Sequence, residues 1–239
     1  MEFFLTIFNR APTPDPPTRV AEQVDAQDLK SCCPQRQYEF DPRPGYSQMT
    51  DLAQFCTRFS PLDEQALADL LQAATTQTYK QGQSLLRKNQ ICRHLFFVNE
   101  GLLKLFSTAD GKQFVMRFFA GDTLFTAFES YNTQTPSKFT LLALEDTTVT
   151  TIEHSGMERL CKQHHSIETF FRRLLAVATT KMTRRINEML ESDATKRYNQ
   201  FVAENADILQ RISLGDIANY LGITQQSLSR IRAANANLP

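Results

Sequence analysis

The chain has 239 residues with 26 basic and 26 acidic side chains, so its formal net charge is zero. Hydrophobic residues make up 41% and charged residues 22% of it, the proportions of a soluble globular protein of one or two domains. No apolar run approaches the ~18 residues of a membrane helix. The apolar start at Met1–Phe8 is too short for a signal peptide and has no basic residue before it. These features exclude a membrane partner and predict a cytoplasmic protein.

The first 48 residues differ in composition from the rest. Seven of the ten prolines lie there and apolar periodicity is weak, which predicts a poorly ordered leader. Because the first patterned stretch opens at Met49, we expect Met49 to be the natural start; a peptide from residues 1–48 in the native protein would contradict this. The five cysteines are odd in number and scattered, which favours reduced thiols over disulfides.

The middle of the chain has the pattern of an antiparallel barrel. Asp63–Ala74 comes first and places Leu67, Leu70 and Leu71 on one face of an amphipathic helix. Short apolar or alternating runs separated by turn residues then predict a jelly-roll-like barrel. Asp110-Gly111 predicts a tight hairpin. The predicted strands are His94–Asn99, Leu102–Ser107, Gln113–Phe119, Phe139–Ala143 and Thr147–Ile152.

The chain becomes helical after the barrel, with predicted helices at Ser155–His165 and Ser166–Leu190. The longer helix has apolar residues at heptad-like spacing, which favours packing against a second helix and hence a homodimer, although packing on the protein's own core is the alternative. This stripe comprises Phe171, Leu175, Ala178, Met182 and Met189. Residues 170–239 hold ten basic and six acidic side chains, an asymmetry of the kind that accompanies a polyanionic partner.

The segment 213–232, SLGDIANYLGITQQSLSRIR, has the pattern of a helix-turn-helix. Ser213 and Asp216 have the spacing of a helix cap, and Gly222 supplies the positive φ of a turn between two short helices. Ile217, Ala218 and Leu221 are expected to face inward from the first helix, and Leu228 and Ile231 from the second.

The remaining polar side chains of the second helix suit duplex DNA. Gln225 or Gln226 can pair with adenine and Arg230 with guanine, while Ser213 and Thr224 suit phosphates at helix N-termini. A surface helical hairpin with no DNA role is the plainer alternative. The predicted DNA-contacting residues are Ser213, Thr224, Gln225, Gln226, Ser227, Ser229, Arg230 and Arg232.

This order of a barrel flanked by helices, a long helix and a helix-turn-helix predicts an α+β fold, and it resembles the Crp/Fnr family of catabolite-activator-type transcription regulators. The resemblance covers about residues 50–232. It depends on the turns at Gly82, Gly101 and Gly121-Asp122 and on the ending YLGITQQSLSRIR. It implies a homodimer on palindromic double-stranded DNA, with RNA polymerase as a further partner. It also implies a sensor barrel at 49–165, a dimerisation helix at 166–191 and a DNA-binding domain at 192–239.

Two departures from the family limit what the resemblance implies. The stretch that would bind a cyclic nucleotide lacks the Gly-Glu pair, and Ser137 stands where the phosphate-binding arginine would be. We therefore do not expect cyclic AMP to bind in the usual way; another small effector, or none, fits this pocket. Cys32-Cys33 has no close third cysteine, so an iron–sulfur cluster is not expected. The predicted pocket residues are Glu129, Ser130, Ser137, Lys138 and Thr140.

Two other function classes fit the residues less well. An enzyme with a cupin-like metal site needs converging histidines, whereas His94 and His154 are isolated and His164-His165 lie in a helical stretch. No metal site and no catalytic residue is predicted. A ligand-sensing module that acts through protein partners would share the barrel, but has no reason to keep Gln225, Gln226 and Arg230 on one side of a helix.

Overall fold

A computed structural model describes residues 51–236. The predicted leader and Met49 lie outside these residues. Within them, the mixed α and β composition and the antiparallel jelly-roll-like sheets confirm the predicted fold class. No helix among them is both long and apolar enough to cross a bilayer.

Two short helices precede the barrel. Helix α1 (Leu52–Phe59), which was not predicted, begins after Asp51, and α2 (Glu64–Gln72) begins after Asp63. Each aspartate caps its helix by accepting a hydrogen bond from the backbone amide three residues later. Leu70 is fully buried, but the prediction for Leu71 was wrong because this side chain is 40% exposed. It lies ~100° further around the helix than Leu70 and turns away from the core.

Eight strands form two four-stranded sheets in this part of the chain, and every pair is antiparallel. One sheet has the order β1-β8-β3-β6 and the other β2-β7-β4-β5. The strands are β1 (Ala74–Tyr79), β2 (Ser84–Leu86), β3 (His94–Glu100), β4 (Leu102–Ala109), β5 (Lys112–Ala120), β6 (Thr123–Phe125), β7 (Thr140–Ala143) and β8 (Thr147–Glu153).

All five runs predicted as strands are strands, namely β3, β4, β5, β7 and β8. The structure adds three that were not predicted. The side chains of β1 are mostly exposed, so it lacks apolar alternation, and β2 and β6 have three residues each. Strands this polar or short leave no periodic signal in the sequence.

Two turns explain why glycine stands at particular places in the barrel. Asp110 and Gly111 both have positive φ, 49° and 74°, and join β4 to β5 in the predicted hairpin. At Gly101, between β3 and β4, φ is +101° and a Cβ would lie 2.4 Å from the Thr147 Oγ1 atom. Glycine at 101 therefore permits β4 to pass close to the start of β8.

The remaining helices follow the barrel, apart from one that lies between β6 and β7. The predicted helix at 155–165 is observed one to two residues earlier, and the predicted helix at 166–190 is one residue longer at each end. They are α3 (Phe128–Thr133), α4 (His154–Gln163), α5 (His165–Glu191), α6 (Ala194–Glu204), α7 (Leu214–Leu221) and α8 (Gln225–Ala236). We call residues 194–236 the C-terminal helical region.

Two clusters of buried apolar residues hold these elements together. The larger fills the barrel and continues under α1, α2 and the first turns of α5. The smaller joins the outer face of β4 and β5 to the C-terminal helical region. Neighbouring residues of β5 belong to different clusters: Phe119 lies in the barrel core and Phe118 in the smaller cluster. The domain boundaries predicted from the sequence remain a prediction.

Candidate nucleic-acid interface and effector site

The first helix of the candidate interface, α7, is capped as the sequence predicts. The Ser213 Oγ atom accepts a hydrogen bond from the Asp216 amide at 3.0 Å and donates to the Asp216 Oδ2 atom at 2.9 Å. Ile217, Ala218 and Leu221 are buried on the inner face of the helix. The small Ala218 side chain is 1% exposed, as expected where two helices approach closely.

The turn between α7 and α8 depends on Gly222. Its φ is +69°, in the left-handed region that glycine adopts without strain. The Ile223 amide then donates to the Ala218 carbonyl at 3.0 Å, which closes the end of α7. A Cβ at Gly222 would lie 3.2 Å from the Met189 Cε atom, so the long helix α5 packs against this turn.

The second helix, α8, begins after Thr224. The Thr224 Oγ1 atom accepts a hydrogen bond from the Ser227 amide at 3.1 Å and lies 3.0 Å from the Ser227 Oγ atom. Leu228 is 1% exposed and Ile231 is half-buried, as predicted for the inner face. Ser227, predicted to contact DNA, is half-buried and takes part in the cap.

The other polar side chains of α8 lie at the surface. Gln225 rests near the start of α7, because a Cβ at Gly215 would lie 2.7 Å from the Gln225 Nε2 atom. The helix thus presents amide, hydroxyl and guanidinium groups to solvent, while Leu228 and Ile231 pack inward. The exposed residues are Gln225, Gln226, Ser229, Arg230 and Arg232.

Two arginines that no sequence motif marks hold the C-terminal end of α7. Arg185 of α5 donates to the Tyr220 carbonyl, and its guanidinium lies 4.0 Å from the centre of the Tyr220 ring. Arg197 of α6 donates to the Leu221 carbonyl at 3.3 Å. Cations stabilise the carbonyl end of a helix. No local pattern reveals these contacts, since both arginines come from other helices.

The predicted effector-pocket residues bond mainly within the chain. The Glu129 Oε1 and Lys138 Nζ atoms form an exposed ion pair at 3.0 Å. The Ser130 Oγ atom accepts from the Cys92 amide at 2.9 Å and donates to a carbonyl, while the Ser137 Oγ atom accepts from the Phe139 amide at 3.0 Å. That these residues contact a ligand remains a prediction.

The barrel interior itself is packed with aromatic rings. Phe119 and Phe125 stack with centroids 3.6 Å apart, and Phe96 stacks on Phe125 at 5.5 Å. A cavity of about 390 Å³ opens beside Phe96. Burial lowers the pKa of His94, one of the residues in its wall. Its walls are formed by Leu85, Leu86, Gln90, Ile91, Cys92, Arg93, His94 and Phe96.

The predicted dimer stripe on α5 is divided along its length. Phe171 packs against the barrel core, and Leu175 and Ala178 are half-buried. Met182 and Met189 are 48% and 41% exposed. The structure adds Ile186 and Leu190, which are 57% and 79% exposed near them. The far half of the long helix therefore presents an apolar surface to solvent.

The histidines make separate structural contacts. The His164 Nε2 atom lies 2.8 Å from the Asp69 Oδ2 atom, and the His154 ring meets Tyr131 edge-on at 4.8 Å. In residues 51–236, no three histidine, cysteine, aspartate or glutamate side chains are grouped closely enough to hold a metal ion.

Comparisons with known proteins agree with this architecture. Residues 76–164 match the cyclic nucleotide-binding domain family. No curated protein sequence matches the chain. The chain is similar in structure to FixK2 from Bradyrhizobium japonicum, with a TM-score of 0.60 and 18% identity over 67% of this chain and 83% of that one.

Two further solved structures share the fold. A CooA mutant from Carboxydothermus hydrogenoformans gives a TM-score of 0.57 and 18% identity over 69% of this chain and 77% of that one. A protein from Eubacterium rectale, described as a transcriptional regulator of the Crp/Fnr family, gives 0.58 and 20% identity over 71% and 82%. Residues 76–164 therefore match a cyclic nucleotide-binding domain, and the chain shares the fold of these solved structures.

Proposed function

We propose, from a cyclic nucleotide-binding domain followed by a helix-turn-helix, that the chain is a sequence-specific DNA-binding transcription regulator of the Crp/Fnr type. It acts in the cytoplasm as a homodimer and not as an enzyme. The observation that supports this most strongly is the outer face of α8, where Gln225, Gln226, Ser229 and Arg230 are exposed while Leu228 is buried.

The chemistry of this face suits the major groove. A glutamine amide pairs with adenine in two hydrogen bonds, and an arginine guanidinium pairs with guanine. At the N-termini of α7 and α8, the first two amides of each helix are left free by the caps and suit phosphates. Because the Ser213 hydroxyl is engaged by Asp216, we assign the phosphate contact at this position to the first-turn amides of α7.

Selection of duplexes from a random-sequence pool tests DNA binding directly. We expect enrichment of a palindromic site, and no enriched sequence would contradict the proposal. With the selected duplex, Arg230→Ala should cost about 1–3 kcal/mol of binding free energy and relax the preference at one base pair.

Arg172→Ala is the matched control for this variant, because it removes an exposed arginine outside the candidate interface. An equal loss with Arg230→Ala on all duplexes would show that Arg230 contacts only phosphate.

The homodimer is proposed from the exposed half of the α5 stripe. Apolar residues at heptad spacing on a long helix are buried when two such helices pack together. Met182→Glu should therefore shift the protein towards monomer in sedimentation velocity. Thr180→Glu is its control, because it places the same charge on another face of the helix, ~200° from Met182. Equal dimer fractions in the two variants would contradict this seam.

The barrel is proposed to bind a small effector whose identity is unknown, and not cyclic AMP in the usual way. The hydroxyl of Ser137 is bonded to its own chain, and Phe96, Phe119 and Phe125 fill the interior. Titration calorimetry with cyclic AMP and cyclic GMP should give no binding heat; tight binding of either would contradict the expectation.

An effector would act by shifting a population of states. A change in the packing of the two α5 helices in the dimer would alter the separation of the two α8 helices, which are the recognition helices of this proposal. These must lie about 34 Å apart to enter successive major grooves. The bound dimer would then recruit or block RNA polymerase. Distances between spin labels on the two α8 helices, measured with and without a tightly bound effector, test this; equal distances would contradict it.

A further inference from the structure

The outer face of strands β4 and β5 holds the C-terminal helical region against the barrel. Leu102 and Phe118 share a buried cluster with Leu221. The Phe118 ring centre lies 5.7 Å from that of Tyr220 and 6.0 Å from that of Phe201. Helix α7 therefore rests on the back of a sheet whose other face forms the barrel core.

A buried ion pair lies within this surface. The Lys104 Nζ atom of β4 is 2.6 Å from the Asp216 Oδ1 atom of α7. Only 9% of the lysine side chain and 12% of the aspartate side chain are exposed. The second carboxylate oxygen, Oδ2, accepts the hydrogen bond from the Ser213 hydroxyl. Both charges are thus satisfied where α7 meets the barrel.

This ion pair restricts the position of α7 on the sheet more strictly than the surrounding apolar contacts do. Apolar contact is non-directional, so rings and aliphatic chains tolerate some sliding of α7 over the sheet. A buried ammonium and a buried carboxylate tolerate little, since displacing either one leaves a charge without its partner in a dry interface. The pair therefore favours one placement of α7 on β4.

The placement of α7 determines the placement of the recognition helix. Only residues 222–224 separate α7 from α8, and Leu228 of α8 belongs to the same buried cluster as Leu221 of α7. We propose that Lys104 and Asp216 are positioning residues, which set the location of α8 on its barrel and hence the separation of DNA half-sites that the dimer accepts. This inference rests on the proposed function.

A spacer series tests the role of the pair. Duplexes carry the selected half-sites with centres about 8 to 14 base pairs apart, around the ~10 base pairs of one helical turn. The wild-type protein should prefer one spacing by about tenfold or more. Lys104→Met should reduce that preference to about threefold or less, because the unpaired Asp216 carboxylate drives α7 off the sheet. Its affinity for a duplex with a single half-site should stay within about twofold of wild type.

Two further variants separate positioning from general loss of stability. Lys104→Met combined with Asp216→Leu removes both charges and should regain the spacing preference, because an apolar pair can replace a buried ion pair. Lys112→Met, an exposed lysine at the start of β5, should match wild type. The positioning role would be overturned if Lys104→Met kept the wild-type preference for one spacing. It would also be overturned if the double variant showed as little spacing preference as Lys104→Met.

Amide hydrogen exchange of the Lys104→Met variant without DNA provides a second measurement. The Asp216→Asn variant replaces it if Lys104→Met does not fold. We expect exchange in α7 and β5 to rise by about tenfold or more, with β3 and β8 unchanged. Unchanged exchange in α7 would overturn the role of the pair. Failure of the wild-type protein to select any duplex would instead overturn the proposed function, and with it the spacing role.

Discussion

The two buried clusters of the protein are built differently. The barrel core joins two sheets and several helices through apolar side chains, with stacked rings such as Phe119 on Phe125. The smaller cluster is shared between the outer barrel surface and the C-terminal helical region, and it borders the Lys104–Asp216 ion pair. Half-exposed Arg211 and Glu145 form another ion pair between the same two parts.

This difference shows which part depends on the other. The barrel closes its core with its own strands and with helices outside the C-terminal helical region, whereas residues 194–236 obtain part of their core from Leu102, Val115 and Phe118 of the barrel. A segment of this size rarely buries enough apolar surface to be stable alone. The C-terminal helical region thus takes both stability and position from the sheet beneath it.

The largest expected effect comes from opening the barrel core. Phe97 is fully buried and contacts Phe55, so Phe97→Ala should lower the free energy of unfolding by about 3–5 kcal/mol. In urea, barrel and helical signals should be lost together, because the helical region rests on the barrel. Phe114→Ala, at a side chain 44% exposed, is the control and should change stability by about 0.5 kcal/mol or less. Equal losses in the two variants would contradict this assignment of the core.

A cavity in the smaller cluster should separate the two parts. Leu228→Ala removes a side chain that is 1% exposed and should cost about 2–5 kcal/mol within the helical region. Hydrogen exchange should rise in α7 and α8 but not in β3. Leu214→Ala, at a side chain 46% exposed in the same helical region, is the matched control. Faster exchange throughout the barrel in Leu228→Ala would show that the barrel also depends on the C-terminal helical region for its stability.

The smallest effect concerns the turn between the two helices of the candidate interface. Gly222→Ala forces a residue with a Cβ to adopt φ +69° and should cost about 1–2 kcal/mol. Gly156→Ala, inside α4 with open space around its Cβ, should stabilise by about 0.5–1 kcal/mol instead. Thermal unfolding of the two variants gives the comparison, and shifts of the same sign would contradict it.

Local signals predicted much of this molecule. The Asp110-Gly111 turn, the Gly222 turn and the Ser213 cap follow from the conformational limits of a few adjacent residues, and each is present. The buried and exposed sides of α8 likewise follow from the helical period. Periodicity was not enough for Leu71, because a short helix buries a narrow face and this leucine lies just outside it.

Contacts between distant parts of the chain had no such signal. Lys104 and Asp216 are 112 residues apart, and the sequence marks Asp216 only as part of a helix cap and Lys104 not at all. The arginines that hold the end of α7 come from α5 and α6. The polar strand β1 takes its conformation from pairing with β8 rather than from its own pattern. Such features follow from tertiary packing, which composition and periodicity do not encode.

Phe118 and Phe119 are neighbours in β5, and their rings project to opposite sides of one sheet. A main-chain shift at this point cannot be confined to one side, since it moves a ring in each of two packed layers. Crowding of Phe119 inside the barrel would therefore shift the Phe118 ring against Tyr220 across a single peptide unit. This mechanical path is far shorter than one along the 27 residues of α5.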